Sequence, residues 1–168
     1  MVRTKLGRAL LFALATLAIL ALAPTASAQK PTKEPVEQPP DEVFRGICAF
    51  PVLIETIENK EKLLTFPDGT MLITGTLKVR VTNVDAPANS RLLNISGPGK
   101  ITPTPDGGEI VEARGTWLWL FAPDELGPGE PGQLFLTTGR ARAVFEADGS
   151  ASFTVLSGRR IDVCALLA

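Results

Sequence analysis

Histidine and tyrosine are both absent from this 168-residue chain. Their absence excludes Ser-His-Asp and Cys-His nucleophile pairs, imidazole metal sites and tyrosine acids. Cysteine is scarce, with only Cys48 and Cys164. No GxSxG nucleophile elbow, phosphate-cradling GxxxxGK[ST] loop or dinucleotide-type glycine pattern occurs. After the N-terminal region there is no sustained helical periodicity. No catalytic residue of these kinds, no metal and no cofactor is therefore expected, and carboxylates are the reactive groups left.

The N-terminal region sets the compartment. Arg3, Lys5 and Arg8 precede an uncharged apolar run from Ala9 to Ala23, and PTASA follows with small residues. That order is the pattern of a secretory signal peptide, with cleavage expected after Ala28. The apolar run is shorter than the roughly 20 residues that span a bilayer. The reading is a secreted or extracytoplasmic protein with no transmembrane segment after cleavage; a retained anchor is the alternative. Without residues 1–28 the chain carries 14 basic and 18 acidic residues, a net charge of about −4. Its cations are scattered apart from Arg140/Arg142 and Arg159/Arg160, so a nucleic-acid partner is not expected.

Residues 29–43 hold Pro31, Pro35, Pro39 and Pro40 among charged residues. With no apolar periodicity, this stretch reads as an extended, disordered tether. Residues 44–168 are long enough for one domain with its own core. In an exported chain the two cysteines read first as a disulfide tying the end of the chain beside the first strand.

The domain reads as strand after strand. In Gly75–Val84, Leu77, Val79 and Val81 alternate with Lys78, Arg80 and Thr82, the pattern of a half-buried antiparallel strand. The Asp-Gly pairs at Asp68/Gly69, Asp106/Gly107 and Asp148/Gly149 suit hairpin turns. An end-to-end disulfide makes first and last elements neighbours, as a barrel does. The expected fold is all-β, a single antiparallel barrel-like domain of about eight strands, with a β-sandwich as the alternative. The terminal DVCALLA suits one helical turn or a last strand.

Few polar groups suggest chemistry. Glu112 and Asp162 lie in strand-like stretches, where an interior carboxylate could serve an isomerase or cyclase-like barrel enzyme. Solvent-facing positions are the plainer reading for both. SGPGK (Ser96–Lys100) reads as a plain turn, since no helix follows to make an anion loop. Asn94-Ile95-Ser96 fits the glycosylation acceptor pattern.

GTWLWLFAP (Gly115–Pro123) is the unusual segment. Trp117, Trp119 and Phe121 share one strand face, and Leu118 and Leu120 the other, so both faces are apolar. Three accounts stand: a central strand covered on both sides, partly by the Ala165–Leu167 tail; an interface at Leu118 and Leu120 for a homo-oligomer or partner; or a cavity lined by Trp117, Trp119 and Phe121 for an apolar small molecule. The loop Pro123–Gly132 is a candidate rim or lid.

Together, the signal segment, CAFPV, the PDG turn, VRVTN, LLNISGPG, the DGG turn, GTWLWL and the terminal GRRIDVCALLA resemble a group of uncharacterised exported two-cysteine β-proteins of high-GC Gram-positive bacteria. No activity is established for that group. The resemblance implies bacterial export and supplies no site residues. The functional expectation is an exported, non-catalytic binding or interaction protein. A structural envelope or surface assembly protein and the barrel enzyme are the alternatives.

Overall fold

Three hairpins built on the same local chemistry organise the chain. The computed structural model describes residues 30–168; the signal segment lies outside them. At Asp68/Gly69, Asp106/Gly107 and Asp148/Gly149 each glycine takes a positive φ, between +82° and +92°. The pattern repeats at all three turns. Phe66, Thr104 and Glu146 each accept from the turn glycine's N–H and donate their own N–H to the carbonyl of Thr70, Gly108 and Ser150. One turn type is thus used three times. Separate bonds to the carboxylates hold Asp68, Asp106 and Asp148 below the usual range: Thr70 N–H on Asp68, the Thr104 hydroxyl on Asp106, and the Ser150 hydroxyl and N–H on Asp148.

All sheet pairing is antiparallel. The strands are β1 (Thr32–Pro35), β2 (Glu42–Phe44), β3 (Val52–Asn59), β4 (Lys62–Thr65), β5 (Met71–Thr74), β6 (Leu77–Asn83), β7 (Ser90–Asn94), β8 (Gly99–Pro103), β9 (Glu109–Arg114), β10 (Trp117–Phe121), β11 (Gln133–Phe145) and β12 (Ala151–Asp162). A short helix, α1 (Val163–Leu167), closes the chain, with the Asp162 side chain accepting from Ala165 N–H at its start. Strands β2-β3-β6-β7 form a small sheet, and the other eight form a main sheet.

The proline-rich segment is not a free tether in the described residues. Thr32–Pro35 pairs with β4, and Glu42–Phe44 pairs with β3. Both are short strands; β1 lies at the main sheet's edge, where a proline's missing N–H leaves no ladder bond unmade.

Neither sheet closes into a barrel, which corrects the first architectural expectation. The physical reason lies in a row of glycines. Strands β9 and β10 run in one continuous register along β11, from Glu109↔Phe145 to Phe121↔Gln133. Between them Gly115 and Gly139 exchange backbone hydrogen bonds of 2.7 and 3.1 Å, and Gly139 pairs with Gly158 on β12. All three have positive φ. A Cβ on Gly158 would sit 1.7 Å from the Thr138 carbonyl oxygen. Only glycine lets the three strands bend together here. The sheet folds back on itself instead of curling round to meet β1.

Two cores result. One lies between the sheets: Val52, Val79 and Val81 of the small sheet pack with Leu134, Leu136, Val163 and Leu167, and Leu118 and Leu120 join them. The other fills the inside of the bend, where Val111, Ala113, Ala141 and Ala143 from one half meet Trp119, Phe121 and Phe135 from the other. Small residues facing large ones let the halves approach closely.

The disulfide is formed between Cys48 and Cys164, whose Cα atoms are 5.5 Å apart. It joins α1 to the loop ahead of β3, so an end-to-end link needs no barrel. Cys48 lies before β3 and not on a first strand.

Candidate functional site

The aromatic residues singled out from the sequence are structural in their contacts. Trp119 and Phe121 are buried, and Phe121 stacks on Phe135 and Phe145 at 5.9 Å. Trp119 donates its indole N–H to Thr137 Oγ1 at 2.9 Å. Trp117 lies across Gly97 and Gly99 and donates to the Gly97 carbonyl at 2.7 Å. A Cβ on Gly99 would meet the Trp117 ring at 2.2 Å. The SGPG stretch is thus a platform for an indole. The loop after β10 places Leu126 on the same cluster, and its Glu125 carbonyl accepts from Ala151 N–H. Trp119 and Phe121 thus lie within the aromatic core with Trp117 packed against it, and none of the three lines either cavity described below.

Leu118 and Leu120 pack into the core between the sheets. The small sheet and α1 cover the face that was a candidate subunit interface. Glu112 and Asp162 are both solvent-exposed, so neither meets the requirement for an interior acid or base. Among the described residues no cluster of three His, Cys, Asp or Glu side chains could hold a metal ion. No described helix is long and apolar enough to cross a membrane.

Two cavities among the described residues are candidates. One, of about 500 Å³, flanks the disulfide and is lined by Gly46, Ile47, Cys48, Pro131, Gly132 and Arg160, among others. Its cation is already engaged: Arg160 donates to Gln133 at 2.7 Å and stacks 3.7 Å over the Phe135 ring.

The other cavity, of about 310 Å³, opens on the opposite face of the main sheet from the aromatic cluster. Its apolar wall includes Leu72, Pro98 and Leu156; its charged groups are Lys100, Arg114, Arg140 and Glu112. The ladder explains this grouping. Leu72 pairs with Lys100, Lys100 with Glu112, and Arg114 with Arg140. Leu156 reaches the groove because the β11–β12 register slips between Arg140 and Ala141, leaving it without a partner. Such bulges re-aim a side chain, and this leucine is 51% exposed. Among the described residues no ion pair within 4.0 Å engages Lys100, Arg114, Arg140 or Glu112.

No family model, curated protein or solved structure matches this chain.

The groove residues were not legible as a site. Arg140 and Arg142 stood out only as one of two basic pairs. Arg114 lies 26 positions before Arg140; only the strand register brings the two together.

Proposed function

We propose that the protein is an exported, non-catalytic binding module of bacterial origin that holds a small molecule in the groove beside Leu156. One observation carries the reading: a bulge aims a half-exposed leucine into a cavity of about 310 Å³, between apolar side chains and unpaired cations. That volume stands at the lower end of small-molecule sites, roughly 300–1,000 Å³. The Cys48–Cys164 bond fits an oxidising compartment, and the order of residues 1–28 fits export.

Native mass spectrometry on the unreduced protein secreted by a bacterial host tests it. A bound mass should vanish on denaturation and be missing from Leu156→Asp. A bare chain from the same host, with no added small molecule retained, overturns the reading.

A second reading is an envelope assembly protein that adds strands through β7. It rests on Leu92, 60% exposed on the edge strand of the small sheet. Concentration-dependent oligomers abolished by Leu92→Lys would favour it.

A further inference from the structure

We infer that the groove selects an amphiphilic anion: a small molecule with a carboxylate or phosphate head and a hydrocarbon body. The inference rests on the groove-binding reading above and adds the ligand's chemical class.

Arg114 and Arg140 carry it. They are direct cross-strand partners on one face of the main sheet, and both line the groove. Like charges placed directly opposite across an antiparallel pair destabilise it. Here no carboxylate stands within 4.0 Å of either guanidinium among the described residues. Lys100 adds a third cation to the lining, against the single carboxylate of Glu112. An anion between the guanidiniums removes their repulsion, and paired planar forks suit the oxygens of a carboxylate or phosphate.

The rest of the lining asks for something other than a bare ion. Leu72, Pro98 and Leu156 present hydrocarbon beside the cations. A fully hydrated inorganic anion would leave that surface wet, whereas an attached chain covers it. At about 30 Å³ for each water-sized group, a cavity of about 310 Å³ takes about ten non-hydrogen atoms. An eight-carbon carboxylate is of that size.

Titration calorimetry of the full oxidised chain with octanoate, octyl phosphate, octanol, acetate and inorganic phosphate is the test. Octanoate and octyl phosphate should bind at least tenfold more tightly than octanol, and more weakly as salt is raised. Their relative affinities decide between the carboxylate and phosphate heads. Arg114→Gln and Arg140→Gln, both at exposed positions, should each weaken the anions tenfold or more and leave octanol unchanged. Leu156→Ala should weaken all three octyl probes. Octanol binding as tightly as octanoate would overturn the anion selectivity while the groove-binding reading stands. Acetate or phosphate matching its octyl counterpart would reduce the site to a bare anion site and overturn the amphiphile. Undiminished anion binding in both arginine variants would overturn the assignment to this groove. No binding by any probe would overturn the inference; a retained bound mass that Leu156→Asp abolishes would still preserve the groove-binding reading.

Discussion

Phe121 and Phe145 stack with ring centroids 5.9 Å apart, although they stand at opposite ends of one strand ladder. Phe121 is beside Gln133 at the start of β11, and Phe145 ends the same 13-residue strand. Drawn straight at about 3.3 Å per residue, β11 would hold its ends about 40 Å apart. The ladder is doubled over at Gly115, Gly139 and Gly158, and the aromatic core is what the doubling encloses.

That corner should be the most sensitive backbone point in the molecule. Gly158→Ala places a Cβ in a positive-φ position 1.7 Å from a backbone oxygen. A positive φ alone costs a non-glycine residue about 1–2 kcal/mol, and the overlap should raise the loss to about 3 kcal/mol or more. Gly149→Ala is the control, with positive φ but open space around the added carbon, and should cost only about 1–2 kcal/mol. Urea unfolding of the two variants makes the comparison. Equal losses would mean that the bend does not depend on close backbone approach.

Leu118→Glu should damage folding and not assembly. The side chain packs, partly buried, against the apolar core between the sheets, where a carboxylate loses hydration. A loss of about 2–4 kcal/mol is expected, with the oligomeric state of the folded fraction unchanged by light scattering. Full stability with a dissociated oligomer would return this leucine to the surface.

Cys48→Ser with Cys164→Ser opens a cross-link spanning 116 positions. Chain-entropy reasoning credits a loop of this size with about 5 kcal/mol. The melting temperature should drop by roughly 10–20 °C. The loss should appear mainly as fraying of α1, whose Val163 and Leu167 are fully buried, read by hydrogen exchange of their amides. Unchanged protection there would show that packing alone holds the tail.

Acid titration should show two opposed groups. Glu58 bridges Lys60 at 2.5 Å and Lys78 at 2.7 Å, and these partners pull its carboxyl down from 4.5 to about 2. A depressed carboxyl stabilises the fold above its unfolded pKa, and that contribution is lost as pH falls from about 4.5 towards 2. Glu61 is the reverse: buried, its carboxyl is raised by desolvation. Its charged form is penalised in the fold, so its effect appears as pH rises above the unfolded value. Glu58→Gln should flatten the loss of stability between pH 4.5 and 2, while Glu61→Gln should stabilise the protein at pH 7. Stability measured by denaturant across pH 2–7 separates them; a matching response in both variants would contradict these environments.

Much of the local structure could be read directly. The alternation at Leu77, Val79 and Val81 placed β6 and its core face, and Val79 and Val81 are buried. Each Asp-Gly pair was legible because a hairpin turn is decided by residues within five positions of one another. WLWLF was legible as apolar on both faces but not in what covers each face. Its leucines meet the small sheet, and its aromatics meet the far half of their own ladder. Gly115 and Gly158 carry no signal of their own in the sequence, since their role depends on Gly139, which binds one and pairs with the other.

By sequence alone, this protein is committed to antiparallel strands, to hairpins at its Asp-Gly pairs and to chemistry without imidazole or phenol. Those properties follow from side-chain type and short-range periodicity, and no distant contact alters them. The tertiary structure decided that the main sheet would fold over at a glycine row and not close, because three glycines align only once the ladder registers are set. The same registers decided that Arg114 would face Arg140, and a bulge decided that Leu156 would join them. A groove made by cross-strand pairing has no sequence signature of its own.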